Sequence, residues 1–169
     1  MTRVAKTVPV LVATALLLAG RGGAQSFLSK QPARVSIAIG APTSPLMAGQ
    51  RVELPVTITP NPGIHVYAPG NPDYIPVSIA ITAPRGVTVE TARFPKAEDL
   101  FFAALGETLK VYSKPFVVTV PIRADADGSI AATVALTGVL KYQACDDRVC
   151  FPPQSAPFEA RLPVGRQRR

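Results

Sequence analysis

The residues best equipped for chemistry lie in one stretch, "YQACDDRVCFPPQ", Tyr142 to Gln154, which holds both cysteines of the chain. Cys145 and Cys150 enclose Ala-free polar sequence: Asp146, Asp147, Arg148 and then Val149. Three kinds of chemistry use such a pair: a structural disulfide, a metal site and a redox centre. Zinc sites usually present four ligands, often as two close pairs. Here one Cys pair and a single histidine, His65, fall short of that set. Copper favours thiolate- or methionine-rich sets, and Met47 is the one methionine beyond the leader. No metal or other cofactor is therefore expected. A disulfide over four residues is geometrically feasible, but so short a loop gains little entropic stabilisation. A redox role needs an accessible thiol with a tuned pKa. Arg148 favours the thiolate, whereas Asp146 and Asp147 oppose it. On this chemistry alone, structural and redox roles stand level.

The compartment bears on that choice. The chain opens "MTRVAKTVPVLVATALLLAGRGGAQS", with Arg3 and Lys6 ahead of an apolar run from Val8 to Ala19. Gly22 and Ala24 then offer a small-x-small cleavage site. This order predicts a secretory signal peptide over residues 1–24. The run is shorter than the roughly 20 residues of a membrane span. Arg21 stands where a lipidated cysteine would be needed, so no lipid anchor is expected. The chain has 18 Lys and Arg. Three of them leave with the signal, so 15 remain against 11 acids, a formal +4. Three of those charges sit in the terminal "GRQRR", and the rest are scattered, which argues against nucleic acid. Outside the cytoplasm a cysteine pair usually forms a disulfide. A domain of this size buries a core without staples, which weakens the purely structural reading.

The elements that must position the cysteines read as strands. "RVSIAI", "RVELPVTIT", "PVSIAIT", "GVTVETA", "PFVVTVPI", "ATVALTGVLKY" and "PFEARLPV" alternate branched apolar residues with others. Turn signals such as "TPNPG", "APGNPD", "APRG" and "ADADG" separate them. About eight short strands between Pro/Gly turns predict an all-β antiparallel sandwich. "KAEDLFFAALGETLK", Lys96 to Lys110, breaks the pattern and is expected as one or two helical turns or an irregular loop. Residues 25–33 read as a flexible lead, 34–164 as one domain and 165–169 as a basic tail.

The cysteine stretch resembles the motif of the N-terminal periplasmic domain of the thiol:disulfide interchange protein DsbD. That motif is Tyr-Gln-x-Cys, a short polar insert, then Cys-aromatic-Pro-Pro. Tyr142, Gln143, Cys145, Cys150, Phe151, Pro152 and Pro153 supply every fixed element. Upstream, "PNPGIHVYAPGNPDYIPVSIAI" resembles the segment where a glycine and aromatics lead into a strand, with Gly63, His65 and Tyr67 in those places. "ARFPKAEDLFFAALGETLKVYSKPFVVTVPI" resembles the family's acidic and aromatic cap loop followed by a "VY" strand. The resemblance runs from about Arg34 to Val164.

This resemblance implies an immunoglobulin-like β-sandwich with a cap loop and a redox-type cysteine pair at one end. It implies protein-disulfide reductase chemistry: reducing equivalents pass between a membrane-embedded thiol reductase and thioredoxin-like periplasmic proteins. Cys150 would attack the partner and Cys145 resolve the mixed disulfide. Glu98, Asp99, Phe101 and Phe102 are the expected cap residues. His65 and Tyr67 would lie beside the sulfurs, and Tyr142 and Phe151 would shield them. The chain carries no membrane bundle and no thioredoxin-type Cys-x-x-Cys motif, so the expectation is a monomeric periplasmic shuttle docking on separately encoded partners. The alternative is a non-catalytic immunoglobulin-like binding module with a structural disulfide.

Overall fold

The structure, a computed structural model, describes residues 31–103, 106–127 and 131–165. The expected signal peptide, residues 25–30 of the lead and the tail beyond residue 165 lie outside the described residues. Eleven strands and no helix are formed among the described residues. Strands β1 (Val35–Ile39), β2 (Arg51–Pro60), β8 (Phe116–Ala124) and β5 (Val87–Val89) make one sheet in that order. Strands β11 (Gln154–Pro163), β9 (Thr133–Tyr142) and β4 (Ser78–Thr82) make a second. A third has the order β10 (Ala144–Cys145), β3 (His65–Tyr67), β7 (Glu107–Tyr112), β6 (Glu98–Phe102). Every pairing within these sheets is antiparallel. The all-β sandwich expected from the alternation is the fold observed.

The alternation decides which face is buried. Along β2, Val52, Leu54, Val56 and Ile58 point inward while their neighbours face out or lie partly covered. Val118, Val120 and Ile122 point inward on β8, where Pro121 is buried as well, and Val134, Leu136, Leu140 and Tyr142 alternate in the same way on β9. With Ala160 and Leu162 of β11 they form the main core. Each fully buried side chain of this size stabilises by about 1.5–3 kcal/mol. One inward position on β9 is Gly138, paired with Phe158 of β11. A Cβ there would sit 2.1 Å from the Phe158 ring, so the ring fills the space that the glycine leaves.

The third sheet separates two apolar clusters. Val66 of β3, Tyr112 of β7 and Ala144 of β10 belong to the main core. Tyr67, Leu109, Val111, Phe102 and Cys145 form a second cluster, with Leu100 and Tyr74 packed against it. On these short strands the alternation sends one residue to the core and the next to the cysteine.

Candidate functional site

Cys145 ends β10, and its loop turns back at once. The Asp146 amide donates to the Val149 carbonyl at 3.0 Å, and the Phe151 amide donates to the Ala144 carbonyl at 2.8 Å. The Asp146 carboxylate accepts from the amides of Val149 and Arg148, each at 2.8 Å. Those two hydrogen bonds hold its pKa below the usual carboxylate range. The closed turn brings Cys150 opposite Cys145, and the two form a disulfide. Their exposures differ: Cys145 is 1% exposed, whereas Cys150 is exposed.

A type II signature places the other side of the site. In Asn61-Pro62-Gly63-Ile64 the Ile64 amide donates to the Asn61 carbonyl at 2.9 Å, and Gly63 has φ +73°. Proline before a left-handed glycine is the composition this turn requires. It launches β3, whose His65 is the ladder partner of Cys145. Two residues on, the Tyr67 hydroxyl lies 3.1 Å from Cys150 Sγ and 3.2 Å from Cys145 Sγ. Disulfide sulfurs carry no hydrogen, so Tyr67 is the donor. Burial, then the nearby Glu107 carboxylate, raise its pKa and keep the proton in place.

Tyr67 is itself held. Its ring packs on Tyr74 with centroids 4.6 Å apart. The Tyr74 hydroxyl donates to Glu107 Oε2 at 2.7 Å, and that bond is the main cause pushing the Tyr74 pKa up to about 12. Asn71 fixes the loop that carries Tyr74. Its amide nitrogen donates to the Lys110 and Ala68 carbonyls, and its Oδ1 accepts from the Lys110 amide.

The family model for the N-terminal domain of the thiol:disulfide interchange protein DsbD matches residues 35–161. The chain belongs to this family. Among solved structures, the reduced DsbD N-terminal domain of Neisseria meningitidis is 21% identical, with a TM-score of 0.42, over 66% of this chain and 78% of that one. The N-terminal periplasmic domain of ScsB from Proteus mirabilis is 16% identical, with a TM-score of 0.48, over 77% and 45%. The chain thus spans less than half of that ScsB structure. The yeast GGA1 GAE domain is 10% identical, with a TM-score of 0.45, over 80% and 96%. No curated protein matches the chain significantly. Membership of the DsbD N-terminal family, with the cysteine pair, supports thiol–disulfide exchange. The all-β antiparallel architecture that the resemblance implied is the fold of this DsbD-type domain.

In this DsbD-type domain the segment expected as helical turns or an irregular loop is a hairpin of β6 and β7. Leu100 pairs with Leu109 and Phe102 with Glu107, so one apolar face forms across both strands. Tertiary pairing outweighs the helix propensity of its Ala, Leu and Glu residues. Phe102 is buried in the cysteine cluster, whereas Phe101 on the opposite face is 64% exposed. Glu98 accepts from the Ser113 amide at 2.7 Å, and Asp99 pairs with the Lys110 ammonium at 2.5 Å. Both acids lie at the surface, where the ion pair stabilises by about 0–1 kcal/mol.

Tyr142 and Phe151, expected to shield the sulfurs, are placed with the main core instead of the cysteine cluster. The Tyr142 hydroxyl donates to Gln154 Oε1 at 2.7 Å and accepts from the Arg34 amide at 3.3 Å. Phe151 lies under the Arg34 guanidinium, 3.1 Å from the ring centroid. Together they brace the base of the loop. The sequence reading missed Asn71 and Tyr74. "GNPDY" reads only as a turn, and the partners that tie it to β7 lie far along the chain: Lys110, 39 residues from Asn71, and Glu107, 33 from Tyr74. Among the described residues, no group of three or more His, Cys, Asp or Glu is placed to hold a metal.

His65 is buried, its ring edge-on to Phe102 at 5.6 Å. Burial lowers its pKa, against the pull of Asp147, Asp146 and Glu98. A histidine with a depressed folded pKa binds fewer protons than the unfolded chain. Its contribution to stability is therefore complete well above the unfolded value of about 6.5 and is lost as pH falls through that value toward the folded one. Urea unfolding at pH 7 and pH 5 is expected to show a smaller loss of stability for His65→Phe than for the parent chain. Equal losses would show that His65 does not contribute to the acid sensitivity.

Proposed function

We propose that this domain carries reducing equivalents in the periplasm between a membrane-embedded thiol reductase and thioredoxin-like proteins, through reversible opening of Cys145–Cys150. The observation that carries this reading is the asymmetry of the pair: Cys150 is an exposed residue, Cys145 a buried one, and the Tyr67 hydroxyl lies within reach of both sulfurs. In the donating direction the Cys150 thiolate attacks a partner disulfide. The bond from Cys150 to the partner forms, the partner disulfide breaks, and the partner's other sulfur leaves as a thiolate. Cys145 then attacks Cys150 Sγ, which closes the intramolecular disulfide and releases the partner's second thiolate. Two electrons have moved to the partner. The reverse sequence reloads the pair from the reductase. Leu100, Phe102, Tyr67 and Tyr74 form the apolar surround that keeps competing small thiols from Cys145. Export, expected from the first 24 residues, and the periplasmic relative suit this route.

The test is trapping. Reduced Cys145→Ser protein, mixed with an oxidised thioredoxin-like protein, is expected to accumulate a covalent adduct through Cys150. Cys150→Ser is expected to give none. The parent couple is expected to have a potential in the roughly −180 to −270 mV range of exchange proteins. A potential below about −300 mV together with no adduct would make the disulfide a brace and the domain a binding module.

A further inference from the structure

His65 is the one histidine of the chain, and the exchange steps above make no use of it. Its place in the fold is specific. β3 and β10 pair so that His65 stands directly opposite Cys145. Opposite residues of an antiparallel pair carry their Cβ atoms about 4.5–5.5 Å apart on one face. Both are enclosed, with His65 4% and Cys145 1% exposed. The imidazole packs on Phe102, which shares a cluster with Cys145. Its Nε2 is buried and has no hydrogen-bond partner. An unpaired buried polar atom is costly, and such an atom at a reactive centre calls for an explanation.

Opening the disulfide supplies one. Cys145 is then a thiol or a thiolate in a place with almost no access to water, and burial disfavours the thiolate. Tyr67 has a single O–H to share between two sulfurs, and a phenol that keeps its proton cannot accept one. A neutral imidazole can.

We infer that His65 is the proton-holding partner of Cys145: its Nε2 takes the thiol proton as Cys145 closes the disulfide and passes one in from solvent when Cys145 is released. The inference rests on the exchange reading above. In closure, the Cys145 S–H bond breaks and an Nε2–H bond forms. Sγ of Cys145 joins Sγ of Cys150, and the bond from Cys150 to the partner breaks with its electron pair leaving on the partner's sulfur. The imidazolium then loses its proton to solvent or to the departing thiolate. The charged groups around the ring fit this cycle. Asp146 and Asp147 of the cysteine loop and Glu98 of β6 face it and favour the transient cation. Arg148 stands beside Asp146 and Lys114 near Glu98, tempering that pull. Burial keeps the resting ring neutral, the form that accepts a proton.

Two measurements test this, one of which needs no exchange partner. In reduced Cys150→Ser protein the remaining thiol is Cys145, and its ionisation is followed by thiolate absorbance. The His65 ring resonances are followed by NMR over the same pH range. His65 is expected to show a second titration step at the pH where Cys145 ionises, and His65→Phe is expected to shift the Cys145 titration. A thiol titration unchanged by His65→Phe, with no second step in His65, would overturn the inference. The second measurement uses 5,5′-dithiobis(2-nitrobenzoate). Reduced protein forms a mixed disulfide at Cys150 and then releases a second thionitrobenzoate as Cys145 closes. That second phase is expected to slow about a hundredfold at pH 7 in both His65→Phe and His65→Gln, the lower end for loss of general acid–base catalysis. The parent rate is expected to fall on acidification as His65 protonates, a dependence that both variants lose. A His65→Gln protein as fast as the parent would mean that the side chain serves packing alone. Since the titration in Cys150→Ser involves no partner, it can fail while adduct trapping by Cys145→Ser succeeds, and the converse.

Discussion

Limited iodoacetamide added to the reduced protein is expected to label Cys150 and to leave Cys145 unmodified on the same timescale. The thiolate is the nucleophile, so labelling follows both ionisation and access. Access separates the two. Cys150 is exposed beyond the turn, whereas Cys145 is 1% exposed under Tyr67 and Phe102. A buried thiol reacts through local opening, and an opening of roughly 3 kcal/mol suppresses modification about a hundredfold. Charge does little to change the order. Arg148 lies between the cysteines together with Asp146 and Asp147, so neither sulfur has a strongly cationic setting. Peptide mass spectrometry after a short pulse gives the ratio directly. Equal labelling would mean that reduction releases the cluster, and the division of labour between an attacking and a resolving cysteine would lose its support. Preferential labelling of Cys145 would reverse the roles.

The same contrast of burial governs what could be read from the chain itself. On β2 and β9, ten residues each, alternation repeats four or five times and names the inward residues correctly. The sheet that carries the site has no such record. β3 is three residues long and buried throughout, because Val66 enters the main core while His65 and Tyr67 enter the cysteine cluster. β10 has two residues. A period of two leaves no trace in elements this short, so only the "VY" of β7 was expected, from resemblance. The spacing of Cys145 and Cys150 allowed a bridge without saying which sulfur is enclosed. That follows from the pairing of Cys145 with His65, 80 positions away in the chain. Glu98 and Asp99 of "KAEDLFF" were expected as cap residues, but the hairpin that carries them was not legible. Its apolar face exists only once Leu100 and Phe102 of one strand lie beside Leu109 and Val111 of the other.

Asn71→Ala is expected to destabilise the domain by about 1–3 kcal/mol and to speed reduction of the disulfide by dithiothreitol several-fold. The carboxamide makes three hydrogen bonds. Its nitrogen donates to the Lys110 carbonyl at 2.6 Å and the Ala68 carbonyl at 3.1 Å, and its oxygen accepts from the Lys110 amide at 2.9 Å. The Lys110 carbonyl keeps a second donor, the Ala68 amide at 2.9 Å. The part-buried Lys110 amide loses the acceptor that Asn71 supplies and the buried Ala68 carbonyl loses the donor, and together these account for most of the cost. The same bonds fasten residues 68–74 to β7, and thereby hold Tyr74 on the ring of Tyr67. Without them the aromatic cover over the sulfurs loosens. Leu140→Ala provides the control. Leu140 is fully buried in the main core, and its truncation costs about 2–5 kcal/mol without touching the loop. Urea unfolding is expected to rank Leu140→Ala as at least as unstable as Asn71→Ala, while only Asn71→Ala is reduced faster under native conditions. Faster reduction in both would tie sulfur access to global stability, and the loop would then have no part in guarding the pair.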